Sequence, residues 1–177
     1  MSVTIAGIEF HRVVYDAPVD MLYLHVGDPR LDRDWDETEE GDGVTYLADG
    51  SLGGFTILNT RARLEEDGEL TFTLPEQQVT STDIDGPSVS IAGLEFDRVS
   101  YDADADVLDL RRSDARPARQ GASKEGDEVY FGPDGDIVEM RVVNAGERYE
   151  PRRTLAITLP KHRVVSRDFA HAFAVHA

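Results

Sequence analysis

The chain of 177 residues carries 35 Asp and Glu against 18 Lys and Arg, a formal net charge of −17 at pH 7. Nucleic acids and anionic membranes both attract positive charge, so this balance argues against either as a partner. There is no cysteine, which excludes disulfides and thiolate metal sites. Because no signal-peptide pattern and no run of membrane-spanning length occur, the sequence predicts a cytoplasmic protein.

The acidity has two explanations. High ionic strength screens self-repulsion, so a surface rich in Asp and Arg suits a salty cytoplasm. A GC-rich genome would also favour Arg over Lys, and only Lys124 and Lys161 are present. The sequence leaves both explanations open.

The chain is an internal duplication. Residues 3–10 return as residues 89–96 at a spacing of 86, and residues 44–46 return as 129–131 at a spacing of 85. We expect two domains, residues 1–84 and 89–177, joined by a short polar linker at residues 85–88.

Each copy has the pattern of short strands joined by turns. The segment Asp16–Asp20 combines Asp and Pro, which favour a turn, and Asp49-Gly50 is a strong hairpin signal. Apolar alternation and β-branched residues predict the strands on either side. In the first copy the main strands are expected at Phe10–Tyr15, Met21–Val26, Val44–Leu47, Leu52–Leu58 and Leu70–Leu74.

Short helices complete the prediction. Thr60–Gly68 has Thr as N-cap and Gly as stop signal, whereas its counterpart Asn144–Arg153 contains Gly and Pro and is a weaker helix. Ser166 is expected to cap a C-terminal helix with Phe169, Ala172, Phe173 and His176 on one face. The expected fold is mainly β: two similar antiparallel units of about five strands, related by a pseudo-twofold axis, with one or two short helices.

The order of motifs resembles a known prokaryotic family. Tyr-Asp-x-x-x-Asp-x-Leu-x-Leu is followed by an acidic stretch, an Asp-Gly turn, Ile-Leu-Asn and Leu-Thr-Phe-Thr-Leu-Pro. This pattern resembles the family known as domain of unknown function 2283, with the second copy lacking the glycines at residues 137–140. The resemblance implies a tandem pair of small β-rich domains, and it brings no activity, cofactor or catalytic residue.

The repeated carboxylates are the candidate metal ligands. Asp16 with Asp20, and Asp102 with Asp106, could offer oxygen atoms to a divalent cation. The alternative is structural, since Asp forms turns without any partner. The spacing of Asp102, Asp104 and Asp106 imitates the start of a calcium loop, but the required Gly and Glu do not follow.

Other catalytic patterns are weak. His11 and His25 could meet across the central hairpin, but two histidines without a nearby third ligand fall short of a zinc site. We interpret them as surface or cross-strand residues. The chain has no Gly-x-Ser-x-Gly elbow and no evident Ser–His–Asp arrangement. We therefore expect no cofactor and name no catalytic residue.

The charge divides unevenly between the copies. Residues 1–86 have 19 acids against 5 Arg, while residues 87–177 have 16 acids against 13 Lys and Arg. The acidic stretch around Trp35 corresponds to a basic stretch in the second copy. These are either solvated loops or complementary surfaces, within the chain or between subunits, with the tryptophan as apolar anchor. The candidate interaction residues are Trp35, Arg111, Arg112, Arg116 and Arg119.

These features predict a non-catalytic binding or protein-interaction module of unknown ligand, acting with a protein partner or as a homo-oligomer. The alternative is a small metal-dependent hydrolase that uses the repeated acidic turns. A metal held by residues of both copies would favour the hydrolase, and a flat acidic face with no deep pocket would favour the module.

Overall fold

The computed structural model describes residues 2–112 and 116–169. The chain divides into two compact units. Unit 1 contains the described residues of Met1–Ala48, Leu52–Pro75 and His162–Ala177, and unit 2 contains those of Asp49–Ser51 and Glu76–Lys161. Both units therefore draw residues from both sequence repeats.

The two repeats contain the same elements in the same order. The first repeat contains β1 (Val3–Ile5), β2 (Ile8–Phe10), β3 (Arg12–Asp16), β4 (Met21–His25), β5 (Asp34–Glu37), β6 (Gly43–Tyr46), β7 (Leu52–Leu58), α1 (Thr60–Asp67), β8 (Leu70–Leu74) and β9 (Gln77–Ser81). The second repeat contains β10 (Val89–Ile91), β11 (Leu94–Phe96), β12 (Arg98–Asp102), β13 (Val107–Arg111), β14 (Arg119–Ala122), β15 (Glu128–Phe131), β16 (Ile137–Val143), α2 (Ala145–Tyr149), β17 (Leu155–Leu159) and β18 (His162–Ser166).

Unit 1 is built on a five-stranded antiparallel sheet. Its strand order is β3-β4-β7-β6-β5, and β1 and β2 form a separate hairpin. In β4 and β8 alternate residues are buried, as the apolar pattern dictates. Phe10, Phe55 and Phe72 are buried together, with ring centroids 5.5 Å and 5.1 Å apart for the two successive pairs. These aromatic contacts form the centre of the core.

Unit 2 repeats this plan. Its sheet has the order β12-β13-β16-β15-β14, and β10 pairs with β11. The buried side chains again come from alternate strand positions, among them Phe96, Leu110, Met140 and Ile157. The prediction of a mainly β fold with two similar five-stranded antiparallel units is confirmed.

The last strand of each repeat pairs outside its own repeat. In unit 1, β18 of the second repeat is antiparallel to β8, from His162 opposite Leu74 to Ser166 opposite Leu70. In unit 2, β9 of the first repeat is antiparallel to β17 in the same way. A proline follows both β8 and β17 and ends the strand, because it lacks a backbone N–H. The compact units thus differ from the sequence domains 1–84 and 89–177 by this exchange of strands and by the turn Asp49–Ser51, which belongs to unit 2.

Several local predictions need correction. Four strands were not among those predicted: the edge strands β5 and β14, and the strands β9 and β18 that follow the prolines at the ends of β8 and β17. Ser166 does not cap a helix: it ends β18, and its Oγ donates to the carbonyl oxygen of Thr4 at 2.8 Å. The segment from residue 170 onward, which holds most of the predicted C-terminal helix, lies outside the described residues. The pseudo-twofold relation between the units stays a prediction.

Candidate functional site

The first acidic turn anchors helix α1. Asp20 has a left-handed backbone (φ 52°), which places its carboxylate beside the start of the helix. Its Oδ1 accepts hydrogen bonds from the Tyr15 hydroxyl at 2.9 Å and the Arg61 N–H at 2.8 Å, and its Oδ2 accepts from the Ala62 N–H at 3.2 Å. Asn59, not Thr60, is the N-cap residue, and its side chain makes no capping bond. The cap is therefore supplied by Asp20, far away in sequence.

The second acidic turn repeats this arrangement on α2. Asp106 Oδ1 accepts from the Tyr101 hydroxyl at 2.8 Å and the Gly146 N–H at 2.7 Å, and Oδ2 accepts from the Glu147 N–H at 3.1 Å. In both copies the tyrosine, the aspartate and the helix start form one hydrogen-bonded unit, which we call the hairpin–helix junction.

The hydrogen bonds at these junctions favour the ionised carboxylates. At Asp20, burial is the largest effect and raises the pKa, but the bonds from Arg61, Ala62 and Tyr15 together outweigh it, so the pKa lies below its ordinary value. At Asp106, the Gly146 N–H is the main cause of a lowered pKa. Both carboxylates act as charged helix caps.

The other two candidate ligands are turn residues. Asp16 is exposed at the end of β3 and makes no side-chain capping bond to the short 3-10 turn that follows. Asp102 Oδ1 accepts from the backbone N–H groups of Asp104 and Ala105 at 3.0 Å and 3.2 Å. Among the described residues, no group of three or more His, Cys, Asp or Glu side chains is arranged to hold a metal ion.

The two histidines of the central hairpin do not meet. Arg12, not the exposed His11, lies opposite His25 in the antiparallel pair. His25 Nδ1 instead lies 3.2 Å from Asp32 Oδ2, which also accepts a hydrogen bond from the Thr45 hydroxyl at 2.8 Å. The possible contact between the two histidines does not form, because the register places Arg12 opposite His25, and His11 is a surface residue as interpreted from the sequence.

Trp35 is an exposed residue of an edge strand. It lies in β5 with 75% of its surface exposed, and the other three residues of β5 are also exposed. The acidic stretch is thus partly a strand, which pairs with β6 at the edge of the sheet. An exposed aromatic at a sheet edge is compatible with the predicted anchoring role, which stays a prediction.

The four arginines of the predicted surface have different environments. Arg111 ends β13, Arg119 begins β14, and Arg116 is exposed between them. The Arg112 side chain is only partly exposed: its Nη1 is 3.3 Å from Asp136 Oδ2 and donates to the carbonyl oxygen of Ile137 at 3.1 Å. All four belong to unit 2, whereas Trp35 belongs to unit 1. The complementary pairing of the two stretches remains untested.

Unit 2 has a cavity beside its hairpin–helix junction that the sequence did not indicate. Its volume is about 380 Å³. The sheet supplies an apolar wall, the helix start supplies another, and residues 84–86, at the start of the linker, close one side. We call it the Tyr101 pocket, and its principal lining residues are Val99, Tyr101, Leu108, Tyr149, Glu150 and Arg153.

The same place in unit 1 is occupied. Arg61 lies over the ring of Tyr15, with Cζ 5.2 Å from the ring centroid, and Tyr15 is only 6% exposed. The repeat register puts Gly146 at the position of Arg61. No side chain projects from that position in unit 2, and Tyr101 is 52% exposed. The duplicated junction is therefore covered in one copy and open in the other.

A second difference lies on the linker side of the pocket. By the same register, Ile84 corresponds to Phe169, which is 1% exposed in unit 1. Ile84 is smaller and only partly buried. The Gly in α2 was visible in the sequence, but there it indicated a weak helix rather than an open site.

Negative charge surrounds the Tyr101 ring. Its hydroxyl donates to Asp106, and this bond is the main reason that the Tyr101 pKa lies above its ordinary value. The charges of Glu150 and Asp102 raise the pKa further. In unit 1, burial is the main reason that the pKa of Tyr15 is raised, and the positive charge of Arg61 acts in the opposite direction and lowers this pKa. The open copy thus presents an aromatic face among carboxylates.

No helix of the described residues combines the length and apolar character needed to cross a membrane. The resemblance to domain of unknown function 2283 stays a prediction. No protein-family model, no curated protein and no solved structure matches this chain significantly.

Proposed function

We propose that the protein is a non-catalytic binding module that holds its ligand in the Tyr101 pocket of unit 2. The observation that carries this proposal is the contrast between the two hairpin–helix junctions. They share the same tyrosine–aspartate–helix bonds, yet Tyr15 is covered by Arg61 and Tyr101 is exposed in a cavity of about 380 Å³. A concave site with apolar walls and a few polar groups is the usual form of a ligand site.

The contacts of the repeated aspartates favour this module over the metal-dependent hydrolase. Asp20 and Asp106 each accept three hydrogen bonds from a tyrosine and two backbone N–H groups. These bonds satisfy the helix ends, which would otherwise lack partners for their N–H groups. The carboxylates therefore have a structural task in both copies, and nothing in their contacts calls for a metal.

The substitution Gly146→Arg tests the proposal by giving unit 2 the residue of unit 1. A Cβ on Gly146 would lie 2.9 Å from both Asp106 Oδ1 and the Tyr101 hydroxyl oxygen, which are side-chain atoms able to shift. Unit 1 keeps the equivalent bonds with Arg61 in place, so the variant is expected to fold.

The measurement is a thermal-shift screen of a fragment library against the wild type, Gly146→Arg and the matched control Arg61→Gly. We expect a set of compounds that raise the Tm of the wild type and of Arg61→Gly by several degrees. The same compounds should leave the Tm of Gly146→Arg unchanged. A library in which no compound distinguishes the wild type from Gly146→Arg would overturn the proposal.

A further inference from the structure

In unit 1 an arginine side chain covers the ring face of the junction tyrosine. The Arg61 guanidinium carbon lies 5.2 Å from the Tyr15 centroid, within the range in which a cation is attracted to a ring face. Arg61 reaches this place from the first turn of α1. At the equivalent position of α2, Gly146 offers no side chain. The ring of Tyr101 therefore has no counterpart of Arg61 on its own helix.

The charges around the pocket match a cation. Asp85 and Glu150 line it with exposed carboxylates, and Arg153 is the one basic lining residue among those described. Asp106, bonded to the Tyr101 hydroxyl, adds a further negative charge next to the ring. A guanidinium is planar and weakly hydrated, so it stacks on an aromatic face while its edges donate to carboxylates.

We infer that the Tyr101 pocket binds a guanidinium group, stacked on the Tyr101 ring in the place that Arg61 occupies over Tyr15. This inference rests on the proposed function and names the chemical class of its ligand. The group can come from a free guanidino compound or from an arginine side chain of a peptide. Both sources present the same planar cation to the pocket.

Calorimetric titration with matched probes tests the inference. L-arginine is compared with L-citrulline, which has the same shape but a neutral urea group, and acetyl-Gly-Arg-Gly-amide is compared with its citrulline analogue. We expect each guanidino probe to bind at least tenfold more tightly than its neutral analogue. The tighter of the two guanidino probes identifies the source as free compound or peptide. Equal binding of arginine and citrulline probes, or no binding of any, would overturn the inference.

Two substitutions at Tyr101 separate the ring face from the hydroxyl. Tyr101→Phe keeps the ring and should bind the guanidino probe within threefold of the wild type, whereas Tyr101→Leu should lose at least tenfold. Gly146→Arg should abolish binding, and Arg61→Gly should leave the unit 2 site unchanged. Retained affinity in Tyr101→Leu, with its fold verified by circular dichroism, would contradict stacking.

The two proposals fail in different ways. Neutral or anionic fragments that protect the wild type but not Gly146→Arg would support a binding module and overturn the guanidinium inference. A pocket that takes no ligand of any charge would overturn the binding module itself.

Discussion

Both carboxylate oxygens of Asp42, which is completely buried, accept hydrogen bonds from Nη1 of Arg63, at 2.8 Å and 3.0 Å. The Leu58 N–H also donates to Asp42 Oδ1 at 3.0 Å. Unit 2 repeats the pair: Arg148 Nη1 lies 2.7 Å from Oδ1 of the buried Asp127. In each unit the aspartate lies directly before a strand of the sheet, β6 or β15, and the ion pair links it to the helix, α1 or α2.

Removing the buried carboxylate should destabilise the protein strongly. Asp42→Ala removes the carboxylate that pairs with the Arg63 guanidinium and accepts from the Leu58 N–H, and breaking a buried ion pair in this way costs about 3–5 kcal/mol. The control Asp34→Ala, at an exposed position of β5, should change stability by less than about 0.5 kcal/mol. Urea denaturation gives both free energies of unfolding, and similar values for the two variants would contradict a stabilising role for the pair.

Acid should remove the contribution of Asp20. Its pKa in the folded state lies below the unfolded value of about 3.9, so its contribution is complete above that pH and is lost as the pH falls through the folded pKa. We expect Asp20→Ala to cost about 1 kcal/mol at neutral pH, as the loss of a helix cap does. The difference from wild type should shrink below about pH 4.

The control for this experiment is Asp16→Ala, since the Asp16 side chain makes no capping bond. Thermal unfolding is followed from neutral to acidic pH. A stability difference for Asp20→Ala that stays constant down to the lowest pH would show that the carboxylate charge plays no part.

Tyr46 should limit stability in alkali. Burial, helped by the charge of Asp36, raises its pKa to about 12, and its hydroxyl is buried without a hydrogen-bond partner among the described residues. Because the unfolded chain loses this proton near pH 10, the associated stability is lost as the pH rises from about 10 towards 12. Tyr46→Phe removes the proton and the unsatisfied hydroxyl.

We expect Tyr46→Phe to keep or raise the Tm at neutral pH and to reduce the alkaline loss of stability. The control is Tyr23→Phe, whose hydroxyl contacts Met21 Sδ at 3.7 Å. A fall in Tm for Tyr46→Phe larger than that for Tyr23→Phe would indicate that the hydroxyl has a partner after all.

Alanine substitutions at two glycines should distinguish the cost of backbone strain from the cost of steric overlap. Gly50 and Gly68 both have positive φ, +84° and +74°. A Cβ on Gly50 would overlap the carbonyl oxygen of Gln78, whereas a Cβ on Gly68 would meet nothing within 4 Å. Gly68→Ala should therefore cost about 1–2 kcal/mol, and Gly50→Ala about 1–3 kcal/mol more. Equal losses in urea denaturation would contradict the close packing of this turn on β9.

Cleavage of the linker should not separate the fragments. A protease site inserted after Pro87 would leave β9 in the first fragment, although its partner β17 lies in the second. Likewise, β8 lies in the first fragment and its partner β18 lies in the second. The cut protein should elute from a sizing column as one species and separate only in denaturant. Two peaks under native conditions would be inconsistent with the exchange of strands.

Elements whose signal lies in a short stretch of sequence could be predicted from the sequence alone. Asp49-Gly50 marks a hairpin because the turn needs a left-handed residue, and the strands Leu52–Leu58 and Leu70–Leu74 have the predicted bounds. The partner of Leu70–Leu74 could not be predicted, since its alternation fixes which face is buried but not which distant strand is adjacent. The cap of α1 was missed for a similar reason: Asp20 acts on the helix from the preceding hairpin.

The Tyr101 pocket shows a different limit. The two copies of the junction have the same tyrosine and aspartate, and they differ in whether residue 61 or residue 146 carries a side chain. Sequence patterns score a glycine in a helix only as unfavourable. Its effect on the exposure of a ring in a neighbouring hairpin depends on tertiary placement.

The exchange of strands also determines the order in which the two units can be completed during synthesis. Ribosomes release the N-terminal part first, so β8 emerges long before β18, its partner in unit 1. Unit 2 can close once β17 has emerged, because β9 is already present. The nascent first repeat thus carries an unpaired strand edge until almost the whole chain has been translated, and the unit that begins first is completed last.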